Sequence, residues 1–176
     1  MADTDVPVGI DRARHQDLSG RGRHVWWRRA ALGLLAALPV LGLLNVFGQR
    51  AGPDTTHSAA AALLIDSPTR VRGGLVFTTE IMITPHELLH DARLYLDSGW
   101  FKGMALNGVS PQPASQGARG RWQVWDFGQL PAGVAFTVWI SWQANPTNPG
   151  RHPQDVALYD GGTQLMSVHR TLTVFP

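Results

Sequence analysis

There is no cysteine in the 176 residues. Disulfides, zinc–cysteine sites, iron–sulfur ligation and a lipidated anchor cysteine are excluded, so any domain outside the cytoplasm must be held together by its own core. Lysine is nearly absent too: Lys102 stands alone beside fourteen arginines, a skew that points to a high-GC bacterial genome. Charge is sparse at 16% of residues, and the formal net charge is only +2. The positive excess is local, because Arg12, Arg14, Arg21, Arg23, Arg28 and Arg29 face only Asp3, Asp5, Asp11 and Asp17 in that part of the chain. The remainder is close to neutral, which leaves no broad basic footprint for nucleic acid. Phosphate-binding glycine loops, calcium-loop spacing and a nucleophile beside a base are all missing. No cofactor and no catalytic residue is therefore expected.

One long stretch lacks charge altogether. Ala30 to Phe47 is apolar on every side, flanked by Arg28-Arg29 before and Arg50 after. As a helix it would reach roughly 27 Å, just enough for the hydrocarbon core of a bilayer. Pro39 near its middle would break a soluble helix but is tolerated within a membrane. Trp26 and Trp27 stand at the depth of an interfacial anchor. The arginine asymmetry places the N-terminus in the cytoplasm and the C-terminal domain outside. A cleaved signal peptide fits less well, since its charged region would be unusually long and no small-x-small site directly follows the apolar run. The predicted layout is a disordered cytoplasmic tail at 1–28, a transmembrane signal anchor at 29–48 and a linker at 49–61. An extracytoplasmic domain then occupies 62–176. Trp26, Trp27, Arg28, Arg29 and Pro39 are the anchor residues, and the bilayer is the first partner.

Within 62–176 the dominant signal is alternation with a period of two. Leu75–Thr84 sets Leu75, Phe77, Thr79, Ile81 and Ile83 against Val76, Thr78, Glu80, Met82 and Thr84. Ala92–Asp97 sets Leu94 and Leu96 against Arg93, Tyr95 and Asp97. Phe136–Gln143 sets Val138, Ile140 and Trp142 against Thr137, Trp139, Ser141 and Gln143. Leu165–Phe175 places Met166, Val168, Leu172 and Val174 on one side. Shorter strands are predicted near 62–66, 104–109, 122–127 and 155–159. Glycine-rich turns separate them, among them Asp97-Ser98-Gly99 and Asp160-Gly161-Gly162, where the aspartate caps its own backbone. Seven or eight short strands with no internal helix predict an all-β, antiparallel sandwich.

The order of these phrases resembles the immunoglobulin-like repeat domains of bacterial surface proteins. The resemblance is carried by Arg72-Gly73-Gly74, Ile81-Met82-Ile83-Thr84, Ala92-Arg93-Leu94-Tyr95-Leu96-Asp97 and Phe127-Gly128-Gln129-Leu130-Pro131-Ala132-Gly133. It covers roughly residues 62–176, as a single copy, and implies a sandwich that acts as a spacer or interaction module without a catalytic centre.

Two groups of residues compete for a functional role. His86-Glu87-Leu88-Leu89-His90 would, on a helix, put both histidines on one face to hold zinc, with the glutamate as general base. Pro85 before it, Asp91 after it and strands on both sides argue instead for a connection. A third ligand would have to be recruited from His57, His152, His169 or an acid. The tryptophans are the stronger group. Trp139 falls opposite the core-facing set, and Trp122 and Trp125 cannot both point inward on a regular strand. Trp139, Trp125 and Trp100 are therefore the candidate binding residues. The reading is a non-enzymatic accessory subunit that meets another membrane or envelope protein. The alternatives are a zinc-dependent hydrolase and a glycan-binding envelope module.

Overall fold

The structure is a computed structural model, and it describes residues 21–44 and 51–176. The chain divides into two units at Val46/Phe47. The first contains one helix, α1 (Arg21–Leu43). Its side chains from Val25 onward are exposed, Trp26 and Trp27 at 73% and 77%, and Pro39 lies within it. Among the described residues no helix is long and apolar enough to cross a membrane. The predicted span is offset from α1 in a simple way. The helix begins early, so its first turns take in Arg21, Arg23, Arg28 and Arg29, which dilute the apolar run. The end of that run, at 45–47, and the predicted tail at 1–20 lie outside the described residues.

The second unit is mostly β. Its strands are β1 (Ala51–His57), β2 (Ala61–Pro68), β3 (Arg70–Arg72), β4 (Val76–Pro85), β5 (Leu89–Asp97), β6 (Met104–Ser110) and β7 (Ser115–Arg119). They continue with β8 (Trp122–Leu130), β9 (Phe136–Ala144), β10 (Gly150–Pro153), β11 (Val156–Asp160), β12 (Thr163–Val168) and β13 (Thr171–Phe175). A first sheet runs in the order β1-β2-β4-β9-β6 and a second in the order β12-β11-β5-β8-β7. Both are antiparallel throughout. A small sheet β10-β13-β3 adds the one parallel pair, β13 with β3.

One hydrophobic core joins the two large sheets. Leu63, Ile65, Ile81, Ile83, Val138, Ile140 and Trp142 come from the first, and Leu94, Leu96, Trp125 and Leu158 from the second. Ile81, Ile83, Leu94, Leu96, Val138, Ile140 and Trp142 are inward positions that the alternation predicts, and burying each large side chain contributes about 1.5–3 kcal/mol. Aromatic contacts stitch the layers together: Trp100 stacks on Trp142 at 5.6 Å between centroids, and Phe127 meets Phe136 at 5.2 Å. Thr79, the polar member of the inward set, is fully buried and is satisfied by the Ser67 hydroxyl at 2.7 Å.

Three departures from the sequence reading follow from pairing. The predicted linker 49–61 contains β1, which pairs with β2 from Ala51↔Pro68 to His57↔Ala62. Pro53 cannot donate to a ladder, but β1 is an edge strand where that is tolerated. Arg170 reaches back to it, donating from Nη2 to the Gly52 carbonyl at 3.0 Å and pairing through Nε with Asp54 at 2.6 Å. Among the described residues there are thirteen strands in three sheets rather than seven or eight, because short edge strands such as β3, β7 and β10 carry no apolar alternation. The predicted strand at Leu165–Phe175 is two strands, β12 in the second sheet and β13 in the small one, with His169-Arg170 at the crossing. The parity survives the break, and Met166, Val168, Leu172 and Val174 are all buried.

Candidate interaction face

The two sides of β9 decide where a site can be. Val138, Ile140 and Trp142 are fully buried, while Trp139 between them is 49% exposed on the outer face of the first sheet. Register places Trp139 opposite Glu80 on one side and Ser110 on the other. Glu80 in turn stands opposite Asp66, which stands opposite Pro53. One row across the sheet is therefore Pro53, Asp66, Glu80, Trp139 and Ser110. In the next row Leu64, Met82 and Thr137 are aligned and half-buried. The result is an open face with one exposed aromatic, an aliphatic flank and two carboxylates.

This face has an unusual charge balance. The five strands of the first sheet contain Asp54, Asp66 and Glu80 and not one lysine or arginine. Asp54 is used by Arg170 on the inner side. Burial pulls the Arg170 guanidinium below the ordinary arginine range, and Asp54 and then Asp66 counter that pull. Glu80 makes no ion pair among the described residues. His57 shares the face, but on the edge strand and two rows away, in line with Ala62 and Thr84.

The other two candidate tryptophans belong to the core. Trp125 is 1% exposed, since β8 points it inward opposite Leu94, and Phe101 meets it edge-on at 6.3 Å. The two-residue parity argument was right in form: Trp122, at the start of the same strand, is the one left half-buried. Trp100 is fully buried. It lies in a single 3-10 turn, Ser98–Trp100, where strand parity offers no guide. Asp97 caps that turn by accepting from the Gly99 amide at 2.8 Å, as the turn signature predicts. Gly99 is needed there, because a Cβ would collide with the Pro153 carbonyl. The turn thereby delivers the Trp100 ring onto Trp142, with its Nε1 donating to the Asp155 carbonyl at 3.3 Å.

The histidine motif is not helical. His86 and Glu87 form a bend after β4, and His90 is already within β5. The His86 and Glu87 amides donate to the Ala60 carbonyl at 2.7 and 3.3 Å, which ties this connection to the start of β2. The one-face spacing that zinc binding by this motif requires is therefore not formed. Among the described residues no group of three or more His, Cys, Asp or Glu side chains is arranged to hold a metal ion.

The second sheet shows what sequence patterning did not pick out. On its outer face Tyr159, Tyr95 and Trp122 make a row, with centroids 4.2 Å apart for the tyrosines and 6.4 Å for Tyr95–Trp122. Arg121 lies over the Trp122 ring at 4.9 Å. Arg93 pairs with Asp91 at 2.6 Å, and Arg121 pairs with Asp97 at 3.0 Å and Asp155 at 3.4 Å. Asp160 accepts from the Asp91 amide at 2.7 Å, so it caps a neighbouring strand rather than its own turn.

No family profile and no curated protein matches the chain. Among solved structures it is similar to the CARDB domain of the PF1109 protein from Pyrococcus furiosus, solved in complex with di-metal ions. That match has 11% identity and a TM-score of 0.43, over 69% of this chain and 88% of that one. It is also similar to the GAE domain of GGA2p from Saccharomyces cerevisiae, at 11% identity and TM-score 0.36, over 70% and 96% of the two chains. The PapD-like domain 7 of human CEP192 matches at 13% identity and TM-score 0.32, over 73% and 93%. These likenesses are distant, and nothing about activity or ligands follows from them.

Proposed function

We propose that the chain is a non-enzymatic, immunoglobulin-like interaction module, an accessory subunit that meets another membrane or envelope protein through the outer face of its first sheet. The observation that carries this reading is the half-exposed Trp139, at mid-strand on β9 and one strand in from the edge of that face. Large, rigid aromatics are the usual energetic anchors of protein interfaces. Placement at a membrane, with the sandwich outside, is read from the sequence alone: the uncharged run 30–47 and the arginines that precede it.

Two experiments test the proposal. A photo-crosslinking residue at position 139 should yield one discrete adduct in intact cells, and the same residue at Gln164, on the exposed edge of the second sheet, should not. Equal adducts at both positions, or none, would overturn the docking face. Alkaline carbonate extraction should leave the chain in the membrane pellet; its release would overturn the anchor.

A further inference from the structure

We infer that the segment received on this face is cationic: an arginine- or lysine-bearing stretch of a partner, with one positive side chain lying on the Trp139 ring beside Glu80. The inference rests on the docking reading above and adds the chemistry of the occupant.

The first argument is charge. Apart from His57, two rows away on the edge strand, the ionisable side chains of the first sheet are all carboxylates, and its outer face sets Asp66 and Glu80 directly opposite each other on neighbouring strands. Like charges in register repel, so such a pair is destabilising in the isolated sheet. Asp66 is relieved in part by the field of Arg170 from the inner side. Glu80 is left facing the tryptophan without a cation among the described residues. A positive group brought between Glu80 and Trp139 would relieve the repulsion, pair with the carboxylate and stack on the indole at once. An acidic segment would meet two carboxylates and no compensating base. A neutral glycan would leave Glu80 unused.

The second argument is internal to the molecule. Where this chain needs an aromatic ring on a sheet surface to be quiet, it supplies the cation itself, as Arg121 does over Trp122 at 4.9 Å with Asp97 and Asp155 behind it. Trp139 with Glu80 presents the same two elements, ring and carboxylate, with the cation missing. Leu64, Met82 and Thr137 alongside form a half-buried shelf for the aliphatic stem of an arginine or lysine.

The test uses the full chain in a neutral detergent and two labelled octapeptides of alternating valine with arginine or with glutamate, read by fluorescence anisotropy. The arginine peptide should bind, more weakly as salt rises, and the glutamate peptide should not. Glu80→Gln and Trp139→Ala should each weaken binding about five- to tenfold, in line with a stacked and paired cation at a partly exposed site. Arg93→Gln, on the second sheet, should leave it unchanged. Binding of the arginine peptide that ignores both Glu80→Gln and Trp139→Ala would overturn the inference. So would equal binding of the two peptides, or binding of neither. If binding fails while crosslinking at position 139 still captures a partner, the docking reading stands and the cationic occupant alone falls. If both fail, the two readings fall together.

Discussion

The two large sheets share a core but treat their outer faces differently. The second sheet satisfies itself. Its tyrosines cover each other, to the point that Tyr95 is only 6% exposed although it points outward, and Arg93 and Arg121 are held by Asp91, Asp97 and Asp155. The first sheet leaves an indole half in solvent and, among the described residues, the Glu80 carboxylate without an ion pair. A surface that closes its own contacts can be understood from stability alone. A large aromatic exposed beside an acidic neighbour has no such account from stability, and it is the feature on which the proposed interface rests.

That contrast can be broken in a graded way. The largest effect should come from the shared core: Trp142→Ala removes the ring on which Trp100 and Phe101 pack and should lower the unfolding free energy by about 3–5 kcal/mol in chemical denaturation. If Trp142→Ala costs no more than Trp139→Ala, the assignment of faces on β9 is mistaken.

Next is Arg170→Met. It strips the Gly52 and Ser67 carbonyls of their charged donor, which should cost about 2–3 kcal/mol and loosen β1 first. Faster amide hydrogen exchange at 63–65, the β2 residues paired with β1, would show it. Unchanged exchange there would mean that β1 is held by its ladder alone.

Asp97→Asn keeps the cap on Gly99 but weakens the pair with Arg121. Arg121 is more than half exposed, so the expected loss is small, about 1 kcal/mol or less, and should shrink at high salt. A salt-independent loss of several kcal/mol would show that the buried carboxylate depends on Arg121 far more than the exposure of that arginine suggests.

Trp139→Ala should change stability least, within about 0.5 kcal/mol, as surface substitutions do. Binding of the basic peptide should nevertheless fall about five- to tenfold. A stability cost near that of Trp142→Ala would recast Trp139 as structural and remove the sharpest difference between the sheets.

Much of this was legible without coordinates. On β4, β9 and the β12–β13 stretch the period of two places the large side chains correctly, including Trp139 against Trp142; Leu75, which the same period would bury, lies just before β4 and is 45% exposed. The reason is physical: a strand with one wet face can only alternate. The Asp97-Ser98-Gly99 cap was legible because its hydrogen bond closes over two residues. The parity argument at Trp122 and Trp125 was also sound, but it could not say which of the two faces the core, since that depends on the register of β8 with β5.

What sequence alone determined is therefore local: strand identity, facing within a strand, turn chemistry, the absence of cysteine-based sites and the apolar run at 30–47. Tertiary structure decided everything set by partners distant in the chain. β1 is a strand only because β2 lies beside it and Arg170, 118 residues from Gly52, bonds back to it. Trp100 is core because a glycine turn brings it onto Trp142. His86 and His90 are a bend and a strand because Ala60 accepts the amides of the connection. Glu80 and Asp66 face each other because β2 and β4 pair in one register out of several that composition allows. Pairing across distance is settled by the summed burial of the whole sandwich, which no window of sequence contains.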